Sequence, residues 1–167
     1  APTSSTTVQM AIGDALAVCL MELINFKEQD FAKFHPGGSL GKNLTAKVEQ
    51  FLSSQKPHVD INASIKDVIV SISGSKHGIT VVTDNTKIVG VITDGDLRRM
   101  LLKTDNIGGI LAKDIMSSNP KTIEKDTLAK AAMTILKQNN IGQLIVTENG
   151  NYFGIIDLHR LLDEGIN

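Results

Sequence analysis

Two hydrophobic patterns divide the chain. In the first, from Val8 to Ile24, apolar residues such as Met10, Ile12, Leu16, Val18, Leu20 and Ile24 fall on nearly every side of a helical axis. A helix that is apolar all round is a buried one. Gln9, Asp14 and Glu22 interrupt the stretch and its first basic neighbour is Lys27, so it reads as neither a membrane span nor a signal peptide. The run Thr3-Ser4-Ser5-Thr6-Thr7 is expected to open this helix, its hydroxyls accepting from free N–H groups of the first turn. Cys19 is then expected in core packing. Asn25 to Asn43 is short and glycine-rich at its end, too little to wrap such a helix. Residues 1–43, which begin at Ala1 without an initiator Met, therefore read as the tail of a domain whose body lies outside this chain or on another subunit.

The second pattern is an internal repeat. Sliding Gly78–Leu97 by 64 residues onto Gly142–Leu161 aligns seven identities in twenty, among them Val82/Val146, Thr83/Thr147, Asn85/Asn149 and Gly90/Gly154. Upstream, Pro57/Pro120 and Ile65/Leu128 suggest an offset of 63, which places a one-residue difference between the first helix and the next strand. Each unit shows the same order. In the first, His58–Ile61 is extended, Ser64 caps a helix to about Ser73 with Ile65, Val68, Ile69 and Ile72 on one face, and Ile79–Thr83 and Ile88–Thr93 are β-branched strands around a polar hairpin. A helix opened by Asp94 or Asp96 follows, Leu97–Leu102. The second unit repeats this as Thr122–Ile123, Leu128–Gln138, Gln143–Thr147, Tyr152–Ile156 and His159–Asp163. That is β-α-β-β-α twice, an α+β fold. A unit of about 60 residues buries little surface alone, so the two are expected to pack together.

Composition narrows the function classes. Lys and Arg number 17 against 18 Asp and Glu, a net charge of −1, with no Trp and one Tyr. No overall basic field or aromatic stacking surface exists for nucleic acid or an anionic membrane. One cysteine precludes an internal disulfide and a Cys-cluster zinc site, which suits the cytoplasm. His35, His58, His77 and His159 lack ligand spacing, so no metal is expected.

The sequence Gly90-Val91-Ile92-Thr93-Asp94-Gly95-Asp96 follows a strand and opens a helix. Here Thr93 and Asp96 can cap that helix, or the hydroxyl and helix N–H groups can meet a phosphate while the carboxylate accepts ribose hydroxyls. Arg98, Arg99 and Lys103 beyond it form a basic patch, either a solvated face or a grip on ligand phosphates. The second unit has Gly154-Ile155-Ile156-Asp157-Leu158-His159-Arg160 instead. An acid where phosphate would sit repels it, although Arg160 or His159 could still meet a carboxylate on a ligand.

The repeat from Leu44 to Asn167, with Gly90–Asp96 matching Gly-x-x-Thr/Ser-x-x-Asp, resembles a tandem pair of CBS domains, the nucleotide-binding Bateman module, with boundaries at 44–104 and 105–167. Thr3–Thr7, Gly13-Asp14-Ala15-Leu16-Ala17-Val18 and Phe34-His35-Pro36-Gly37-Gly38-Ser39-Leu40-Gly41-Lys42 together resemble the end of an α/β sugar isomerase (SIS) domain. SIS followed by paired CBS domains is similar to the D-arabinose 5-phosphate isomerases. That resemblance implies an aldose–ketose isomerase making arabinose 5-phosphate from ribulose 5-phosphate, towards Kdo and lipopolysaccharide, needing no cofactor and moving a proton through an enediol. It makes His35, otherwise a turn residue, the catalytic candidate, and implies that this chain alone is inactive. It extends the candidate ligand contacts from Thr93 and Asp96 to His58, Val59, Gly78, Ile79, Thr80 and Arg98, with Asp157, His159 and Arg160 in the second unit. The expected effector is a nucleotide or nucleotide sugar, with CMP-Kdo favoured by pathway logic and an adenine nucleotide competing. The alternative is a pair that binds no ligand and serves oligomerisation. The family also implies a homo-oligomer, a tetramer for the whole protein and a dimer for the CBS pairs.

Overall fold

The computed structural model describes residues 2–34, 38–104 and 106–167, and the chain divides into two compact units, Ala1–Thr45 and Ala46–Asn167. In the first, α1 (Thr3–Leu23) is followed by α2 (Glu28–Phe34) and α3 (Ser39–Thr45), and α2 and α3 pack on each other. Two expectations change here. No residue of α1 is buried, Cys19 included, because nothing among the described residues covers the helix. By length and composition alone α1 could cross a membrane, a test that core helices of soluble proteins also pass. The Ser/Thr run lies inside α1 and caps nothing: Pro2 holds the N-cap position. Its hydroxyls donate backwards instead, Ser5 to the Pro2 carbonyl at 3.0 Å and Thr7 to the Thr3 carbonyl at 2.9 Å, satisfied by their own helix.

The second unit opens with a 3-10 turn, Val48–Phe51, then β1 (His58–Asp60), α4 (Ile65–Ser75), β2 (Ile79–Asp84), β3 (Lys87–Thr93) and α5 (Asp94–Leu101). After α6 (Ala112–Ile115) and the short β4 (Ser117–Ser118) come β5 (Thr122–Glu124), α7 (Ala129–Asn139), β6 (Gln143–Glu148), β7 (Asn151–Asp157) and α8 (Leu158–Asp163). The β-α-β-β-α order is present twice. In one sheet β1 runs parallel to β2, β2 antiparallel to β3 and β3 antiparallel to β4; in the other β5 runs parallel to β6 and β6 antiparallel to β7. The hairpins turn through Asn85 and Asn149, both left-handed at φ 55° and 51°. Asparagine tolerates that conformation well, which accounts for one identity of the repeat.

The offset of 64 holds throughout the repeat. Val59 pairs with Val82 as Ile123 pairs with Val146, and Thr83 donates to the Val59 carbonyl as Thr147 donates to the Ile123 carbonyl, both at 3.3 Å. The one-residue difference expected from Pro57 and Pro120 is therefore absent.

The same symmetry reveals an exchange of segments. Val48 N–H donates to the Thr127 carbonyl in the second repeat, while Ala112 N–H donates to the Ala63 carbonyl in the first. Ala46, Val48 and Phe51 accordingly complete the core of Ile123, Met133, Leu136, Leu144, Leu161 and Ile166. Ala112, Ile115 and Met116 complete that of Val68, Ile72, Val82 and Ile92. The two sheets meet through Ile79, Val81, Ile145 and Ile155.

Each crossing segment runs close over a glycine. A Cβ on Gly90 would lie 2.7 Å from Met116 Sδ and 3.0 Å from the Ser117 carbonyl; one on Gly154 would first meet the Leu52 side chain, at 3.2 Å. Gly90→Ala is expected to destabilise by about 1–3 kcal/mol through overpacking, and Gly154→Ala by less, because Leu52 can turn away and a backbone oxygen cannot. Urea unfolding of the two variants tests this order.

Candidate ligand-binding cleft

The end of β3 and the start of α5 build the most organised polar site among the described residues. Thr93, extended at φ −112°, is the N-cap residue. Its hydroxyl accepts from Asp96 N–H at 3.3 Å and donates to Asp96 Oδ2 at 2.6 Å, while Thr93 N–H donates to the same oxygen at 2.8 Å. This is a complete capping box. Arg99, one turn on, donates from Nη2 to the other oxygen, Oδ1, at 2.5 Å. Asp96 is only 8% exposed, whereas the Arg99 side chain is 65% exposed. Burial alone would raise the Asp96 pKa, but the hydrogen bonds from the Thr93 hydroxyl, the Thr93 amide and Arg99 outweigh it and hold the carboxyl below its ordinary value.

Thr93, Asp96 and Arg99 line a cleft of about 480 Å³ between the two repeats. Its other walls are Ile79 and Val91 of the first sheet, Ser117 to Lys121 of the segment that crosses from one repeat to the next, and Asn140 to Gln143 with Ile145 of the second. Apolar strand faces thus lie opposite a hydroxyl, a carboxylate, a guanidinium and an ammonium, a surface suited to a small molecule with a flat apolar part and a polar, anionic part.

The other candidate residues disperse. Ile79 joins the cleft. Gly78, at φ +65°, accepts from Asp94 N–H through its carbonyl at 3.0 Å. Val59 is in the core, and Thr80 is fully buried with its hydroxyl 2.8 Å from that of Ser71 on α4. His58 faces Tyr152 at 6.3 Å between ring centroids, in a separate depression with Lys56 and Asn151. Arg98 is exposed and donates from Nε to the Asp94 carbonyl at 3.3 Å. In the second repeat Asp157 accepts from His159 N–H at 2.8 Å and from Gln143 Nε2 at 3.2 Å, while His159 and Arg160 are exposed. His35 lies outside the described residues. Among the described residues no cluster of three or more His, Cys, Asp or Glu could hold a metal ion.

The CBS domain family matches this chain twice, over residues 48–103 and 112–167. The chain belongs to the CBS-domain family. Its two matches begin where the crossing segments enter, and the structure is a tandem CBS pair. The curated relatives of this pair include the arabinose 5-phosphate isomerase KdsD of Francisella tularensis, 39% identical over 97% of this chain and 50% of that protein. KpsF of Escherichia coli is 40% identical over 98% of this chain and 50% of its own length, and KdsD of Pseudomonas aeruginosa 38% over 99% and 52%. The chain spans about half the length of these relatives. Among solved structures, a CBS domain protein of Pyrobaculum aerophilum complexed with AMP superposes with a TM-score of 0.63 at 21% identity, covering 69% of this chain and 89% of that one. The CBS domain of a bacterial CNNM/CorC family Mg2+ transporter in complex with ATP gives 0.62 at 19% identity, covering 77% and 93%. These two likenesses concern the fold.

Proposed function

We propose that this chain is the regulatory end of an arabinose 5-phosphate isomerase, a cytoplasmic homo-oligomeric enzyme of Kdo and lipopolysaccharide synthesis. In this reading residues 1–43 end a sugar isomerase domain containing the catalytic His35, and the CBS pair, 44–104 and 105–167, senses a nucleotide or nucleotide sugar. The similarity of the relatives over nearly the whole chain, the first 43 residues included, supports the assignment to such an enzyme.

The observation that carries the ligand reading is the Asp96 carboxylate at the wall of the cleft. An ionised carboxylate offers about four lone-pair positions. Thr93 fills two, on Oδ2, and Arg99 takes one on Oδ1. One acceptor position remains for a ribose hydroxyl, and a second opens when the exposed Arg99 swings from Asp96 to the ligand phosphate. Asp157 and Arg160 stand where the second repeat would need a hydroxyl and a carboxylate, so one nucleotide per pair is expected. The effector favoured is CMP-Kdo, whose ribose and phosphate suit Asp96 and Arg99; AMP is its competitor.

The second reading, an oligomerisation module that binds nothing, draws on that same divergence of the second repeat. Thermal unfolding with CMP-Kdo, CMP, AMP or ATP separates the two. A ligand at about 100 times its Kd stabilises by about 2.7 kcal/mol, a rise of several degrees in Tm. An unchanged Tm with all four would leave the oligomerisation module standing.

A further inference from the structure

Tyr152 and Phe153 are adjacent near the start of β7, and polar groups gather around them away from the cleft. Lys56, just ahead of β1, places its Nζ 4.7 Å from the centre of the Phe153 ring, a contact that holds the ammonium without neutralising it. Among the described residues no carboxylate pairs with it. Lys56, His58 and Tyr152, with Asn85 and Thr86 of the first hairpin and Asn151 of β7, line a depression of about 480 Å³.

The bonds already made around this depression show what remains free. His58 Nδ1 lies 3.1 Å from the Lys56 carbonyl. A carbonyl only accepts, so Nδ1 carries the proton and Nε2 is left as an acceptor. The Tyr152 hydroxyl donates to the Pro57 carbonyl at 3.2 Å, and burial holds its pKa above the ordinary value, so the ring is a fixed and neutral wall. Asn85 donates from Nδ2 to Asp84 at 3.0 Å, which leaves its side-chain oxygen as an acceptor. No acid lines the depression: Asp84 and Asp60 are the nearest in the chain, and Asp60 accepts from Asn62 N–H at 2.8 Å.

The second repeat provides an internal control. At the offset of 64 it has a matching depression of about 540 Å³, with Pro120 in place of Lys56, Thr122 in place of His58 and Ile88 in place of Tyr152. Its cation, Lys87, shares that wall with Glu124, whose carboxylate accepts from the Thr147 hydroxyl at 2.9 Å and from Gly150 N–H at 3.2 Å. The repeat thus supplies the hollow twice. Only the first combines a cation free of any acid with an aromatic wall.

We propose that this depression is a second binding site, for a small phosphorylated polyol of the size of a pentose phosphate. Lys56 meets the phosphate, His58 Nε2 accepts from a hydroxyl, and Asn85, Thr86 and Asn151 exchange hydrogen bonds with the other hydroxyls while the carbon face of the sugar lies on Tyr152. Side-chain amides and hydroxyls that both donate and accept suit sugar hydroxyls, which do the same, and a lone cation suits one phosphate. The site is separate from the nucleotide cleft and does not depend on a nucleotide binding there.

Proton–nitrogen NMR titration of the whole chain with ribose 5-phosphate, ribose and inorganic phosphate is the test. Ribose 5-phosphate is expected to shift the backbone amide signals of Asn85, Thr86 and Asn151. It is expected to bind at least about tenfold tighter than ribose, the effect of one charge-assisted hydrogen bond, and tighter than inorganic phosphate. Lys56→Met, which keeps an apolar stem against Phe153, is expected to remove the advantage over ribose at unchanged Tm, Lys56→Arg to keep it, and Lys87→Met to change nothing. Unmoved signals at the first hairpin, equal binding of ribose and its phosphate, or a Lys56→Met variant that binds as the wild type does would overturn the inference. Shifts confined to Thr93–Arg99 would place the sugar phosphate in the cleft and overturn it too, leaving the nucleotide reading to its own test.

Discussion

Asp96→Ala is expected to abolish nucleotide binding, lowering affinity at least about 100-fold by removing a charged acceptor from the ribose site, and to lower the stability of the free chain by about 2 kcal/mol. The stability loss follows from the hydrogen bonds named above: a helix cap is worth about 1 kcal/mol, and the Thr93 N–H loses its partner in a half-buried position. Asp96→Asn separates the two effects. An amide oxygen still accepts from the Thr93 N–H, so most of the stability returns, whereas the negative charge that orients Arg99 does not. The pH dependence gives a further check. The folded-state pKa of Asp96 is depressed, so the carboxylate stabilises the fold above the unfolded pKa of about 4 and this stabilisation is lost as pH falls through the lower folded value. The stability gap between wild type and Asp96→Asn is therefore expected to be full at pH 6 and to shrink as the pH falls below about 4 in urea titrations. A ligand-induced Tm rise that survives in Asp96→Ala would place the ligand elsewhere.

The motif holding Asp96 was legible because its chemistry is local: a hydroxyl and a carboxylate three residues apart, after a β-branched strand, form a capping box from their own backbone. The same local logic gives Ser64 as the cap of α4, where the Ser64 hydroxyl accepts from Asp67 N–H at 3.3 Å. The rest of the cleft was not legible. The resemblance puts His58 and Val59 in it, yet Val59 packs in the core and His58 lies in a separate depression, and the segment that lines the cleft beside Thr93 is Ser117 to Lys121, just ahead of β5. Nothing in the hydrophobic pattern of Ala46–Leu52 or Ile107–Met116 says which repeat either will complete. The decisive signal was the paired glycines, Gly90 and Gly154. Each leaves room for a segment arriving from the far side of the pair, and a glycine in the middle of a strand signals such an approach. Arg99 was noticed as part of a basic patch, but only the turn of α5 places it, rather than Arg98, against the carboxylate.

The exchanged segments predict that neither repeat folds alone. Phe51, 6% exposed, sits in the core of the second repeat although it stands ahead of β1 in the chain. Phe51→Ala is expected to cost about 3–5 kcal/mol, as a large cavity in a close-packed core does. Its counterpart at the offset of 64, Ile115, is only partly buried against the first core, so Ile115→Ala is expected to cost less. The first repeat thus depends less on its borrowed segment than the second does. A fragment of residues 105–167 lacks Val48 and Phe51, and a fragment of residues 46–104 lacks Ala112 and the β4 strand that pairs with β3. Each is expected to show little cooperative structure by circular dichroism. Mixed together, the two fragments should recover the fold in a concentration-dependent way, because each carries the segment that the other needs. A 105–167 fragment that unfolds cooperatively by itself would mean that Val48 and Phe51 merely decorate a self-sufficient core. If only the mixture folds, the cleft between the repeats is inseparable from the stability of the pair, and a ligand bound there stabilises both halves at once.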